Sequence, residues 1–183
     1  MAQPDNFGFG EEAALLKESA RKFFTDNFST DQLHALVAPD PDPYRPLAAR
    51  WREDLWRQMV ELGWTALAVP DSAGGLAMPL AAVAGLVEEV GQAAFPCPLL
   101  GTLNTTYVLS GCGSGGEAAL AAIAAGHAAP LAITNRQGSW DVARCDGSLE
   151  EAGLQGAAWY VQDAGKVNYL LVSANNGERV SLY

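Results

Sequence analysis

The spacing of apolar residues changes once along this chain, and that change limits the folds open to it. Up to about residue 126 the apolar side chains recur every three or four positions, the period of an amphipathic helix. After His127 they cluster in short β-branched and aromatic runs broken by turn residues, the pattern of strands. The expectation is α+β: an all-α helical bundle over 1–127, then a partial antiparallel β-barrel opening at 128–183. With 183 residues there is room for one full domain and part of a second.

Punctuation places the elements. Leu16, Ala20, Phe23, Phe24 and Phe28 share one face of a helix over Glu11–Asn27, with Glu11 and Glu12 at its positive end. The alternating prolines of Pro39, Pro41 and Pro43 exclude helix and predict a loop. Leu47, Trp51, Leu55, Met59 and Leu62 predict a second helix from Pro46 to Leu62, capped by Gly63. A third helix is expected from Pro79 to Gln92, with Leu80, Val83, Leu86, Val87 and Val90 inward. A fourth is expected over Leu99–Leu109 and a fifth over Glu117–Ala125. Leu131–Thr134, Ala157–Val161, Tyr169–Ala174 and Val180–Tyr183 read as strands, with a short hairpin between Ser139 and Gly156. Asn176-Gly177 is the turn between the last two strands. Four short strands would leave an open edge, and the sequence stops within a strand pattern, so the expectation is a piece of a longer protein.

Charge and cysteines narrow the function classes. A formal net charge of -10 disfavours nucleic acid as a partner. Arg45, Arg50, Arg52 and Arg57 lie around one helix and read as a solvated face. Cys97, Cys112 and Cys145 have neither metal-ligand spacing nor a disulfide framework, which suits a reducing compartment, the cytoplasm. No apolar run reaches the roughly 18–20 residues that span a bilayer. Gly111, Gly113, Gly115 and Gly116 do not follow a strand, so they are no dinucleotide fingerprint. His34 and His127 have no evident partner and read as surface or loop residues.

Four passages carry a family resemblance. Glu61-Leu62-Gly63-Trp64-Thr65-Ala66-Leu67-Ala68-Val69-Pro70-Asp71 with Gly74-Gly75-Leu76, and then Glu88-Glu89-Val90-Gly91, resemble paired motifs of the acyl-CoA dehydrogenases. Leu131-Ala132-Ile133-Thr134 with Gly138-Ser139, and Gln155-Gly156 through Gln162, resemble the two flavin strands of that family. The resemblance implies FAD, held by Leu131, Ile133, Thr134, Gly138, Ser139, Tyr160, Val161 and Gln162. It implies an acyl-CoA substrate near Ser139, Leu99, Leu100, Leu103 and Tyr107, and an acceptor such as electron-transfer flavoprotein. Pro96-Cys97-Pro98-Leu99-Leu100 resembles a pattern in bacterial members that take bulky or branched acyl groups.

In the family a carboxylate takes the α proton and the flavin takes the β hydrogen as hydride. That carboxylate belongs to a carboxy-terminal helical domain, so no catalytic residue is assigned here, and the chain alone is expected to be inactive. Asn135-Arg136 stands where the family has Glu-Pro, Trp140 separates Ser139 from Asp141, and Gln162 replaces a Thr. These departures leave two other readings open: a flavin-dependent monooxygenase of the same fold, or a non-catalytic subunit of a hetero-oligomer.

Overall fold

The structure is a computed structural model that describes residues 10–38 and 51–183. Its order is α1 (Glu11–Asn27), α2 (Thr30–Val37), α3 (Glu53–Glu61), α4 (Leu80–Gln92), α5 (Leu99–Gly111) and α6 (Glu117–Ala124). The strands follow: β1 (Leu131–Ala132), β2 (Ser148–Glu150), β3 (Gly153–Gln155), β4 (Leu171–Asn175) and β5 (Val180–Leu182).

The helical half forms as its periodicity demands. Ala20 and Phe24 of α1, and Phe28 at its C-cap, are buried in one core with Leu55, Met59, Val83, Leu86 and Leu103. An aromatic seam binds the layers: Phe23 meets Trp64 edge-on with centroids 5.1 Å apart, and Phe28 meets Phe95 at 4.8 Å. The Glu-Glu motif braces α1 to α4. Glu89, 2% exposed, accepts from Arg21 at 2.8 and 3.2 Å, while Glu88 accepts from Lys17 at 2.5 Å. Burying a carboxylate is tolerable only when it is paired in this way.

The Gly63 cap is a Schellman motif: Gly63 N donates to Val60 O and Trp64 N to Met59 O. The chain then runs through the buried stretch Trp64–Val69, and the Gly-Gly turn folds back on it. Leu76, Ala77 and Met78 donate to the carbonyls of Ala66, Val69 and Leu67 at 3.0, 2.9 and 2.7 Å. Gly75 makes this possible, because a Cβ there would lie 2.0 Å from Val69 O.

Several expectations need correction. The helix expected from Pro46 begins at Glu53; residues 46–50 lie outside the described residues, as does the proline loop from residue 39. Leu62 and Leu80, read as inward, are 51% and 65% exposed. Between α1 and α3 lies α2, a short helix that buries no side chain fully and only half-buries Leu33 and Leu36 against the core, too brief a stripe to announce it. It starts on a capping box in which Ser29 and Gln32 exchange hydrogen bonds. Ala157–Val161 is not a strand: Tyr160 sits at φ 57, in the left-handed region. The strand expected over Leu131–Thr134 ends at Ala132.

The curled partial sheet runs β1-β4-β2-β3, with β5 also on β4. Its two hairpins, β2–β3 and β4–β5, are antiparallel; β1 and β2 each run parallel to β4. A second core of Val69, Leu109, Leu120, Ile123 and Leu171 joins it to the helices, with Leu131 packed against it. At the same junction, Gly101 of α5 lets Pro130 approach so closely that a Cβ would lie 2.8 Å from the Pro130 Cβ. The Thr102 hydroxyl also accepts from Ala129 N at 3.1 Å.

Candidate functional site

The end of β1 runs into a loop organised by one side chain. Asn135, 3% exposed, donates from Nδ2 to Arg144 O at 2.9 Å, and its Oδ1 accepts from Gln137 N at 3.1 Å and Ser139 N at 2.9 Å. An Asn side chain standing in for backbone partners is the usual way to hold so tight a turn. Gly138 N closes the turn on Asn135 O at 2.9 Å, with φ at +79. Ser139 Oγ then accepts from Asp141 N at 3.2 Å, and Asp141 Oδ1 accepts from Ala143 N at 3.0 Å.

The segment 157–162 closes onto this loop. Trp159 N donates to Thr134 O at 2.9 Å, and the Tyr160 hydroxyl donates to Arg136 O at 3.3 Å. The Arg136 guanidinium carbon lies 5.5 Å from the Trp159 ring centroid. Trp140 and Tyr160 are each 74% exposed. The result is a loop that places two half-buried, hydroxyl-bearing residues, Thr134 and Ser139, near exposed aromatic rings. Past this face, Val161 and Gln162 diverge. Val161 lines a 410 Å³ cavity inside the curled sheet, together with Ala132, Val172 and Ala174. Gln162 lines a 290 Å³ groove against the bundle, opposite Val87, Val90 and Leu100.

That groove is closed by a clasp. Lys166 donates to Asp163 at 2.5 Å and to Pro96 O at 3.2 Å, its side chain and that of Asp163 being 10% and 12% exposed. Cys97, in the groove wall, has its thiol pushed up to about 12 by burial, so it is a neutral packing group rather than a nucleophile. Burial also raises the Tyr107 phenol.

The residues singled out from sequence therefore separate into groups. Ile133, Thr134, Gly138, Ser139 and Tyr160 belong to β1's end, its loop and the segment docked on them. Leu100 and Gln162 share the groove. Leu131 faces the helices, and Leu99 and Leu103 are 1% and 2% exposed inside the bundle core. Tyr107, 37% exposed, is on the outer part of α5. Four residues that shape the region were not singled out as functional: Asn135 and Arg136, which organise the loop, and Asp163 and Lys166, which form the clasp. An Asn three residues before a Gly was the available signal for the first. A lone Lys–Asp pair three apart carries no comparable signal.

Comparison with known proteins fits this geometry. The family profile for the acyl-CoA dehydrogenase N-terminal domain matches residues 10–121. Acyl-CoA dehydrogenase IpdE2 of Mycobacterium tuberculosis is 31% identical over 119 residues, covering 64% of this chain and 35% of that protein. This chain therefore spans about a third of the length of the curated relatives it matches. Among solved structures, a variant of the Tcur3481-Tcur3483 steroid ACAD superposes with a TM-score of 0.76 at 28% identity, covering 95% of this chain and 47% of that one. The ChsE4-ChsE5 complex of Mycobacterium tuberculosis also gives 0.76, at 16% identity over 100% of this chain and 48% of that one, which speaks to fold alone. Among the described residues no helix is long and apolar enough to cross a membrane.

Proposed function

We propose, from the premise that this chain belongs to the acyl-CoA dehydrogenase family, that it forms one wall of an FAD site in an enzyme that desaturates an acyl-CoA thioester between its α and β carbons. The observation that carries the reading is the docking of Trp159 and Tyr160 on the Thr134–Ser139 loop, two positions along the chain from Gln162, which shares a groove with Leu100.

The donor set there suits a flavin. β1 stands at the end of the strand order, so its outer row of peptide groups has no neighbouring strand. Thr134 and Ser139 add hydroxyls, and Trp159 and Tyr160 add rings against which a flat heterocycle packs. When bound, FAD would accept hydride from the β carbon. The work of this chain is to hold and orient: Thr134 and the end of β1 toward the polar edge of the ring system, Ser139 toward the cofactor or the substrate's phosphate-bearing tail. Gln162 offers an amide donor, while Leu100, Val87 and Val90 keep water from the acyl group. No side chain of this chain is assigned as the base.

The likeness to a steroid ACAD supports a bulky, ring-bearing acyl group. We further assign residues 1–127 to the helical domain and 128–183 to the β-domain, electron-transfer flavoprotein or a similar acceptor as the oxidant, an oligomeric state and a cytoplasmic setting. The test is copurification of flavin with the protein and its assembly partners. Thr134→Val with Ser139→Ala should lower bound flavin and slow bleaching of its visible absorbance by a steroid acyl-CoA. Full flavin occupancy and unchanged bleaching in that double variant would refute the reading.

One observation favours a second reading, a non-catalytic subunit of a heteromeric dehydrogenase. Asn135 turns its buried side-chain amide to the loop itself, bonding Arg144 O, Gln137 N and Ser139 N, and three matched structures carry paired names. Under that reading the flavin would follow the partner chain on separation of the complex.

A further inference from the structure

Arginines in the two halves of the chain are used differently. Arg21, Arg52 and Arg57 of the helical half each donate to a carboxylate. Among the described residues, Arg136, Arg144 and Arg179 donate from their guanidinium groups to no protein acceptor, and of these three Arg136 alone lies over an aromatic ring. Its backbone is pinned on both sides. Arg136 N donates to Asp146 Oδ2 at 2.7 Å, and Arg136 O accepts from the Tyr160 hydroxyl at 3.3 Å. Its guanidinium carbon lies 5.5 Å from the Trp159 centroid, yet the residue is exposed. Tyr160 makes its bond from φ 57, a conformation that a bulky residue keeps only where its surroundings hold it. Arg136 is thus a positioned cation with its donors unspent. A free surface arginine loses rotamer freedom when it grips a ligand; this one has given up part of that freedom in advance.

We propose that Arg136 is a phosphate-binding residue, its guanidinium taking a pair of oxygens from the pyrophosphate of an adenosine-bearing ligand at the Thr134–Ser139 loop. The inference rests on the dehydrogenase reading, in which cofactor and thioester are both adenosine pyrophosphates. The planar fork of a guanidinium matches two phosphate oxygens at once, which the point charge of an ammonium does not. Such a ligand also needs a cation close by. The chain carries a formal net charge of -10, so its general field repels phosphate, and attraction must act within about 8 Å at physiological salt. The Asp146 carboxylate bonds the Arg136 amide and forms no ion pair with its guanidinium, so the positive charge is not cancelled by contact.

The first test uses the isotope-labelled chain with ADP as probe and adenosine as the phosphate-free control. ADP should give saturable amide shifts at Arg136, Gly138 and Ser139, and bind more tightly than adenosine. Arg136→Gln should weaken ADP by roughly fivefold to tenfold, the size of one charge-assisted bond at an exposed site, and flatten its salt dependence. Arg136→Lys should recover part of the loss. Arg144→Gln removes an equal charge that rests on no ring and should change the affinity less than about twofold. No saturable shift at these amides, equal ADP affinity in Arg136→Gln, or an equal loss in Arg144→Gln would each overturn the proposal. The second test uses the protein with its assembly partners and separates the two sources. Arg136→Gln that weakens FAD but not riboflavin assigns the cofactor's phosphates; weakened coenzyme A instead assigns the thioester's. Unchanged binding of both, where the unaltered protein takes them up, also overturns it. Uptake of ADP at these residues, but of neither FAD nor coenzyme A, refutes the dehydrogenase reading and leaves the phosphate site standing.

Discussion

Gly75→Ala should be far more damaging than Gly74→Ala, although the two glycines are adjacent. At Gly74 the added Cβ meets nothing within 4 Å, but φ is +82, so the cost is the left-handed conformation alone, roughly 1 kcal/mol. At Gly75 the Cβ would lie 2.0 Å from Val69 O and 2.4 Å from Val69 C, both backbone atoms that cannot rotate away. The loop must lift off the Trp64–Val69 stretch, and three backbone hydrogen bonds hold it there: Leu76 to Ala66, Ala77 to Val69 and Met78 to Leu67. At about 1 kcal/mol net each, their loss costs about 3 kcal/mol. For a chain of this size that lowers Tm by roughly 6–12 °C. Urea and thermal unfolding of the two variants measure the difference. If Gly75→Ala is no less stable than Gly74→Ala, the close approach is not what selects glycine there, and the argument fails.

Four further predictions follow from local chemistry. Cys112 is exposed and Cys97 is buried with its thiol held up at about 12, so iodoacetamide at pH 8 should label Cys112 first and Cys97 only in denaturant, as read by mass spectrometry. Because the Cys97 value is raised from 9.0, its contribution to stability is intact below that pH and drains away as pH climbs toward 12. Asp54 is pulled down from 3.8 to about 2, chiefly by the side-chain hydrogen bonds from Arg52, so its contribution is present above pH 3.8 and lost as pH falls through 2. Asp54→Asn should flatten that acid limb in a pH series of unfolding curves, by a small amount because the pair is solvent-screened. Ser29→Ala removes the α2 capping box and should cost about 1 kcal/mol, seen as faster hydrogen exchange confined to Thr30–Val37.

The helices were legible where burial writes a period into the sequence. Ala20, Phe24 and Phe28, then Leu55 and Met59, then Val83 and Leu86, all reach the core the spacing assigns them. Helix α2 was not legible by that route because it offers only Leu33 and Leu36, both half-buried, as a stripe; the Ser29–Gln32 capping box marks its start. Ala157–Val161 misled for the opposite reason. Its Trp and Tyr have strand propensity, but that propensity reports a fit to a half-buried surface and not a ladder. Here the surface is the Arg136 guanidinium and the Thr134 carbonyl. On α5 the spacing gave the stripe and not its partner: Leu99 and Leu103 face the bundle core, whereas Leu100, one position on, faces the groove.

The same contrast explains why the candidate site is harder to read than the fold. A core position is set by its own helix, so local spacing suffices. The groove of Leu100 and Gln162 exists only because two distant pieces of chain are fixed to each other. Lys166 reaches Pro96 across 70 residues, and Ala129 N reaches the Thr102 hydroxyl across 27. Gly101 removes the side chain that would hold Pro130 away. None of these residues is chemically unusual taken alone; together they fix where segment 157–166 lies against α4 and α5. Residues that act by registering two halves of a fold leave no period and no motif, so they are found from contacts across the junction rather than from the chain.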